Sequence, residues 1–116
     1  MATRTRRTPP ARRAAASSRP APLHEHADEA ISVLKAMASR NRLLLLCELV
    51  QGERSVGELS QSLALAQTTV SQHLSLLRRD GVVSGRRDAQ TIHYRISDSR
   101  VQALMTTLFE QFCVDD

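Results

Sequence analysis

Two apolar stripes separated by a short link dominate the hydrophobic pattern of this chain. Val56, Leu59 and Leu63 recur at three- and four-residue steps; Val70, Leu74 and Leu77 then do the same, with His73 beside them. Each spacing predicts a helix with one buried face. The four-residue link leaves room only for a sharp turn, so the pair predicts a helix-turn-helix. On the solvent side of the second helix stand Gln67, Thr68, Ser71, Gln72 and Ser75. These are short, uncharged hydrogen-bonding side chains of the kind that meet base edges in a major groove. Gly81 follows where a left-handed cap is expected. Beyond it, Val82-Val83 and the run from Thr91 to Ile96 are β-branched segments predicted to pair as a hairpin. The tip of that hairpin is expected to be Gly85-Arg-Arg-Asp-Ala-Gln.

Three more helices complete the pattern. Residues 23–38 predict a first helix through Ala30, Ile31, Val33, Leu34 and Met37. Ser39 or Asn41 is placed to cap a second, over residues 42–50, which stops at Gln51-Gly52. Its run from Leu43 to Cys47 is apolar on every side, which predicts a central place in the core. A last helix, from Asp98 or Ser99 to Phe112, carries the longest stripe: Val101, Leu104, Met105, Leu108, Phe109 and Phe112. That face is wider than a terminal helix on so small a domain needs. The expected fold is therefore mainly α with a small β-hairpin wing, a winged helix-turn-helix, dimeric through its first and last helices.

Composition changes the picture at the N-terminus. Residues 1–22 hold six arginines and four prolines but no acid and no periodicity, so they are expected to form a disordered arginine-rich tail. Residues 23–116 are the expected folded domain. The formal charge of +4 is due to the tail, because ten basic residues face twelve acidic ones in the remainder. Distribution matters more than the total. Five arginines and two aspartates lie between Arg78 and Arg95, which puts positive potential on the end of the reading helix and on the wing. Arg86, Arg87 and Arg95 are the candidate phosphate or minor-groove contacts.

No glycine loop, paired-carboxylate site or Ser/His/Asp arrangement points to catalysis, and no cofactor is expected. His24 and His26 read as a solvated helix start, since no third metal ligand lies near them in sequence. The N-terminus lacks an apolar secretory segment, and no apolar run approaches the ~18 residues that span a bilayer. A cytoplasmic bacterial protein with no membrane partner is the expectation. In such a compartment the two cysteines, Cys47 and Cys113, are not expected to form a permanent disulfide. Cys47 follows four leucines, as an inert core cysteine would. Cys113 lies near a helix C-terminus and beside Asp115 and Asp116, and all of these disfavour a thiolate.

Several segments together, Leu34-Lys-Ala-Met-Ala-Ser-Arg-Asn-Arg-Leu, Val56-Gly-Glu-Leu, Thr69-Val-Ser-Gln-His-Leu-Ser-Leu-Leu-Arg, Asp80-Gly-Val-Val and Thr91-Ile-His-Tyr-Arg-Ile, resemble the ArsR/SmtB family of winged-helix repressors. The match covers residues 27–113. It implies a homodimer that binds a palindromic operator in double-stranded DNA and releases it when an inducer acts. Ser55 and Gly57 stand where the arsenic-sensing branch has two cysteines, and the last helix lacks the histidines of the zinc-sensing branch. Cys47 and Cys113, one at each of two helices, resemble the BigR/SqrR branch. That resemblance implies sensing of persulfides and other reactive sulfur species through a polysulfide bridge, with control of sulfide-detoxification genes. A metal, arsenite or general oxidant sensor using the same cysteines is the alternative within the family. A dimeric winged-helix protein-interaction module is the alternative outside it. Thiols within ordinary disulfide range would favour the general oxidant. Two departures stand out: Ala66 replaces a capping serine at the start of the reading helix, and His93 replaces an aromatic in the wing.

Overall fold

The structure, a computed structural model, describes residues 22–113. Apart from Pro22, the expected tail lies outside the described residues, as do Asp115 and Asp116. The chain divides into two units, one ending at Ile31 and one beginning at Ser32. In the first, a single 3₁₀ turn, Leu23–His26, precedes the start of α1 (Ala27–Met37). The expected helix thus opens on a tighter turn, with Glu25 N–H donating to the Pro22 carbonyl at 3.0 Å.

The second unit contains α2 (Arg40–Leu49), β1 (Arg54–Ser55), α3 (Val56–Leu63), α4 (Gln67–Arg79), β2 (Val83–Asp88), β3 (Thr91–Ile96) and α5 (Ser99–Phe112). Its core joins Leu45, Leu46 and Leu49 of α2 to Leu59 of α3, to Val70, Leu74 and Leu77 of α4, and to Val101 and Met105 of α5. Burying each such side chain contributes about 1.5–3 kcal/mol. The all-round apolar run of α2 is only partly internal, because Leu43 remains 38% exposed and Leu44 half-buried.

Local chemistry fixes the element ends. Ser39 caps α2 by accepting from Arg42 N–H at 3.2 Å. Ser55 and Glu58 form a reciprocal capping box at α3, at 3.1 and 2.8 Å, which satisfies two otherwise unpaired donors. The turn into α4 is three residues, one fewer than the pattern suggests, because Ala64 adopts a left-handed conformation with φ 55°. Ala66 then starts α4 with no side-chain cap, as expected from its missing hydroxyl. At the far end Gly81 has φ 76°, and Val82 N–H reaches back to the Leu77 carbonyl while Gly81 N–H reaches Arg78. This double bond closes the helix in a Schellman motif.

The sheet is antiparallel in the order β1-β3-β2. Strand β1 was not expected: two residues are too few to show a period. The wing also differs from expectation. Asp88 pairs with Thr91, so the tip is only Ala89-Gln90, and residues 85–88 belong to β2. Arginines in this stretch look loop-like in sequence, yet the ladder carries them as alternating strand residues. Gly85 is needed here, since a Cβ at that position would lie 2.8 Å from Ile92 Cγ2. Finally, Asp98 caps α5, accepting from Arg100 N–H at 2.8 Å and Val101 N–H at 3.4 Å.

Candidate nucleic-acid interface and cysteine cleft

The helical period of α4 separates two faces. Val70, Leu74 and Leu77 are buried, while Gln67, Thr68, Ser71, Gln72 and Ser75 are all exposed. Those five carry no charge; Arg78 and Arg79 extend the exposed surface at the helix end. His73 sits at the edge of the buried face, where its Nδ1 is enclosed and has no hydrogen-bond partner among the described residues.

Arg86, Arg87 and Arg95 are likewise exposed, but they are not equivalent. Register places Arg86 opposite His93 and Ser84 opposite Arg95, so Arg86, His93 and Arg95 share one face of the wing. Arg87, opposite Ile92, points to the other. Arg86 is tied to Glu53, with Nη2 at 2.9 Å from Oε1 and Nε at 3.3 and 3.4 Å from the two oxygens. Arg87 and Arg95 form no ion pair among the described residues. The Arg86 hydrogen bond, helped by the charges of Arg86, His93 and Arg95, holds the Glu53 carboxyl below its usual range. No local pattern reveals this pairing, because 33 residues separate its partners.

The two cysteines come together on the opposite kind of surface. Cys47 of α2 and Cys113, just past α5, line one cavity of about 310 Å³. Among the described residues its remaining wall is Leu43, Leu44, Met105, Leu108, Phe109 and Phe112, none of them charged. Both thiols are free; Cys47 is half-buried and Cys113 exposed. They face the same cavity as near neighbours. Burial pushes the Cys47 thiol above its ordinary value, and the neighbouring Cys113 and Glu48 add to the effect. The reduced pair therefore rests as thiols on the Cys47 side, and an incoming reagent meets Cys113 first.

Among the described residues no group of three His, Cys, Asp or Glu side chains is arranged to hold a metal ion. Asp98 is occupied by the α5 terminus and by Arg100, whose hydrogen bond lowers its carboxyl below the usual range. No helix among the described residues is long and apolar enough to cross a membrane.

An exposed polar helix behind a sharp turn, followed by a basic antiparallel wing, defines a winged helix-turn-helix protein. A sequence profile described as "Bacterial regulatory protein, arsR family" matches residues 39–84. The transcriptional activator HlyU of Vibrio cholerae is 45% identical over 91 residues, covering 78% of this chain and 84% of that protein. The structure of reduced HlyU superposes with a TM-score of 0.76 at 44% identity, over 79% of this chain and 97% of that one. The biofilm growth-associated repressor of Xylella fastidiosa is 38% identical over 94 residues, covering 81% of this chain and 82% of that protein. A homodimeric winged helix-turn-helix DNA-binding domain from Mycobacterium bovis matches with a TM-score of 0.64 at 30% identity, over 80% and 86% of the two chains. The chain belongs to the arsR family of bacterial transcriptional regulators, and is a regulator rather than an enzyme.

Proposed function

We propose that the protein is a dimeric, cytoplasmic repressor of sulfide-detoxification genes that lets go of its operator when Cys47 and Cys113 react with persulfides. Gln67, Thr68, Ser71, Gln72 and Ser75 read base edges in a palindromic duplex; Arg87, Arg95 and Arg86 approach phosphate or the minor groove. The observation that carries the switch is two thiols, 66 residues apart in sequence, lining one apolar cavity as near neighbours. Helix α2 also packs against α3 and α4, so a covalent link that moves α2 relative to α5 is passed to the reading helices.

The chemistry balances without an outside oxidant beyond the persulfide. Each thiol takes the terminal sulfur of one hydropersulfide RSSH and releases RSH. The two cysteine persulfides then condense to a trisulfide and release H₂S. An ordinary disulfide is the second reading, favoured by the closeness of the two thiols, and it would make the protein a general oxidant sensor. Dimerisation is supported by the apolar side chains that α1 and α5 leave in solvent: Leu34 is 49% exposed, Leu104 39% and Phe112 81%.

The test uses a duplex selected by the protein from a random-sequence pool, which should have two-fold symmetry. Glutathione persulfide should weaken binding by about tenfold or more, within the usual range for coupling between two sites. Cys47→Ser and Cys113→Ser should bind the duplex equally well and ignore the persulfide. Release of both variants by persulfide would dismiss the cysteines as the switch.

A further inference from the structure

The ion pair between Glu53 and Arg86 crosses the central strand of the sheet. Glu53 stands just before β1, Arg86 is on β2, and β3 lies between them. It is a fork contact: one carboxylate oxygen takes both Nε and Nη2, and the other takes Nε. That is the edge through which a guanidinium engages a phosphate, because carboxylate and phosphate present the same paired acceptors. The carboxylate is one-third exposed and the guanidinium just over half, so both are open to an approaching duplex. Among the described residues, Arg95 is the one fixed cation on the same wing face without an ion pair.

We infer that Glu53 is a built-in competitor for backbone phosphate at Arg86, one that restrains the protein's overall affinity for DNA whatever the sequence. The inference rests on the proposed wing contact with DNA. Non-specific affinity comes almost wholly from phosphates neutralised by cations, whereas base-edge contacts carry the sequence preference. A wing whose arginine is already neutralised loses one unit of the first and none of the second. The uncharged reading face of α4 is untouched by Glu53, so affinity is lowered by the same factor on every sequence.

The experiment measures the full chain on a mixed-sequence duplex by fluorescence anisotropy over a salt series. Glu53→Gln keeps the shape and removes the charge. It should bind about eightfold tighter at ~0.1 M salt, and the log–log salt slope should steepen by about 0.9, the counterions released at one phosphate. Adding Arg86→Ala to that variant should return affinity and slope to those of the parent, since a neutral pair replaces an ion pair. Glu53→Gln that binds no tighter, with an unaltered slope, overturns the competitor role. Arg87→Ala and Arg95→Ala separate the two levels. If they weaken binding while Glu53→Gln changes nothing, only the competitor has failed; if they too are silent, the wing contact itself has failed.

Discussion

Along α4 the buried stripe is narrow and polar side chains take most of the solvent face. Along α5 the stripe runs on past the core, leaving Leu104 in solvent and Phe112 on the wall of a cavity that both thiols line. The reading half of the second unit is nearly finished within one chain: α3 is capped, Gly81 closes α4, its sheet is paired and its core is closed. The cysteine half is unfinished. Apolar surface of this kind signals an interaction face, and an open cavity can change shape on reaction at little cost to the core. A closed half bearing the proposed reading face, joined to an incomplete edge bearing both thiols, is the arrangement the proposed switch requires.

The largest expected effect comes from charging the unfinished face. Leu104→Glu should convert the dimer to monomer in sedimentation and weaken operator binding by about tenfold or more, because one chain then grips only half of a two-fold site. A monomer with full affinity would separate the exposed stripe from DNA reading. Next comes Gly85→Ala, which forces a Cβ against Ile92 and Tyr94. It should destabilise the wing by about 1–3 kcal/mol in urea melts, while the reactivity of Cys113 stays unchanged. If thiol reactivity moves with it, the two halves are not separate.

A smaller loss follows Asp98→Ala, about 1 kcal/mol for the lost cap of α5. Because the folded carboxyl titrates below its unfolded value, its contribution is complete above the unfolded value and fades as pH falls through the folded one. The variant should therefore differ most from the parent near neutral pH and converge with it in acid. The smallest effect is a gain: Ala66→Ser supplies α4 with the missing cap, worth up to about 1 kcal/mol in a denaturant titration.

Much of the reading half was legible in sequence, because it is built from periodic or position-specific signals. The stripes of α3 and α4, Gly81 and the strand from Thr91 to Ile96 are each local, and the structure has them where the pattern put them. Strand β1 escaped since two residues have no period, and the wing arginines passed for a loop because charge in a strand mimics a turn. Long-range pairings were illegible for a different reason. Nothing near Glu53 names Arg86 as its partner. The juxtaposition of Cys47 and Cys113 was implied only by family resemblance, and it depends on how α5 returns to α2. Side-chain exposure on α5 was partly legible: the stripe looked too wide for its own core, and it is.

The proposed switch turns on what joins the two sulfurs, and peptide mass spectrometry after treatment with glutathione persulfide measures it directly. The Cys47 and Cys113 peptides should be joined and heavier than a simple disulfide by one or more whole sulfur atoms, in the same sample that has lost its operator. Free thiols on both peptides, or a plain disulfide with no added sulfur, would contradict it.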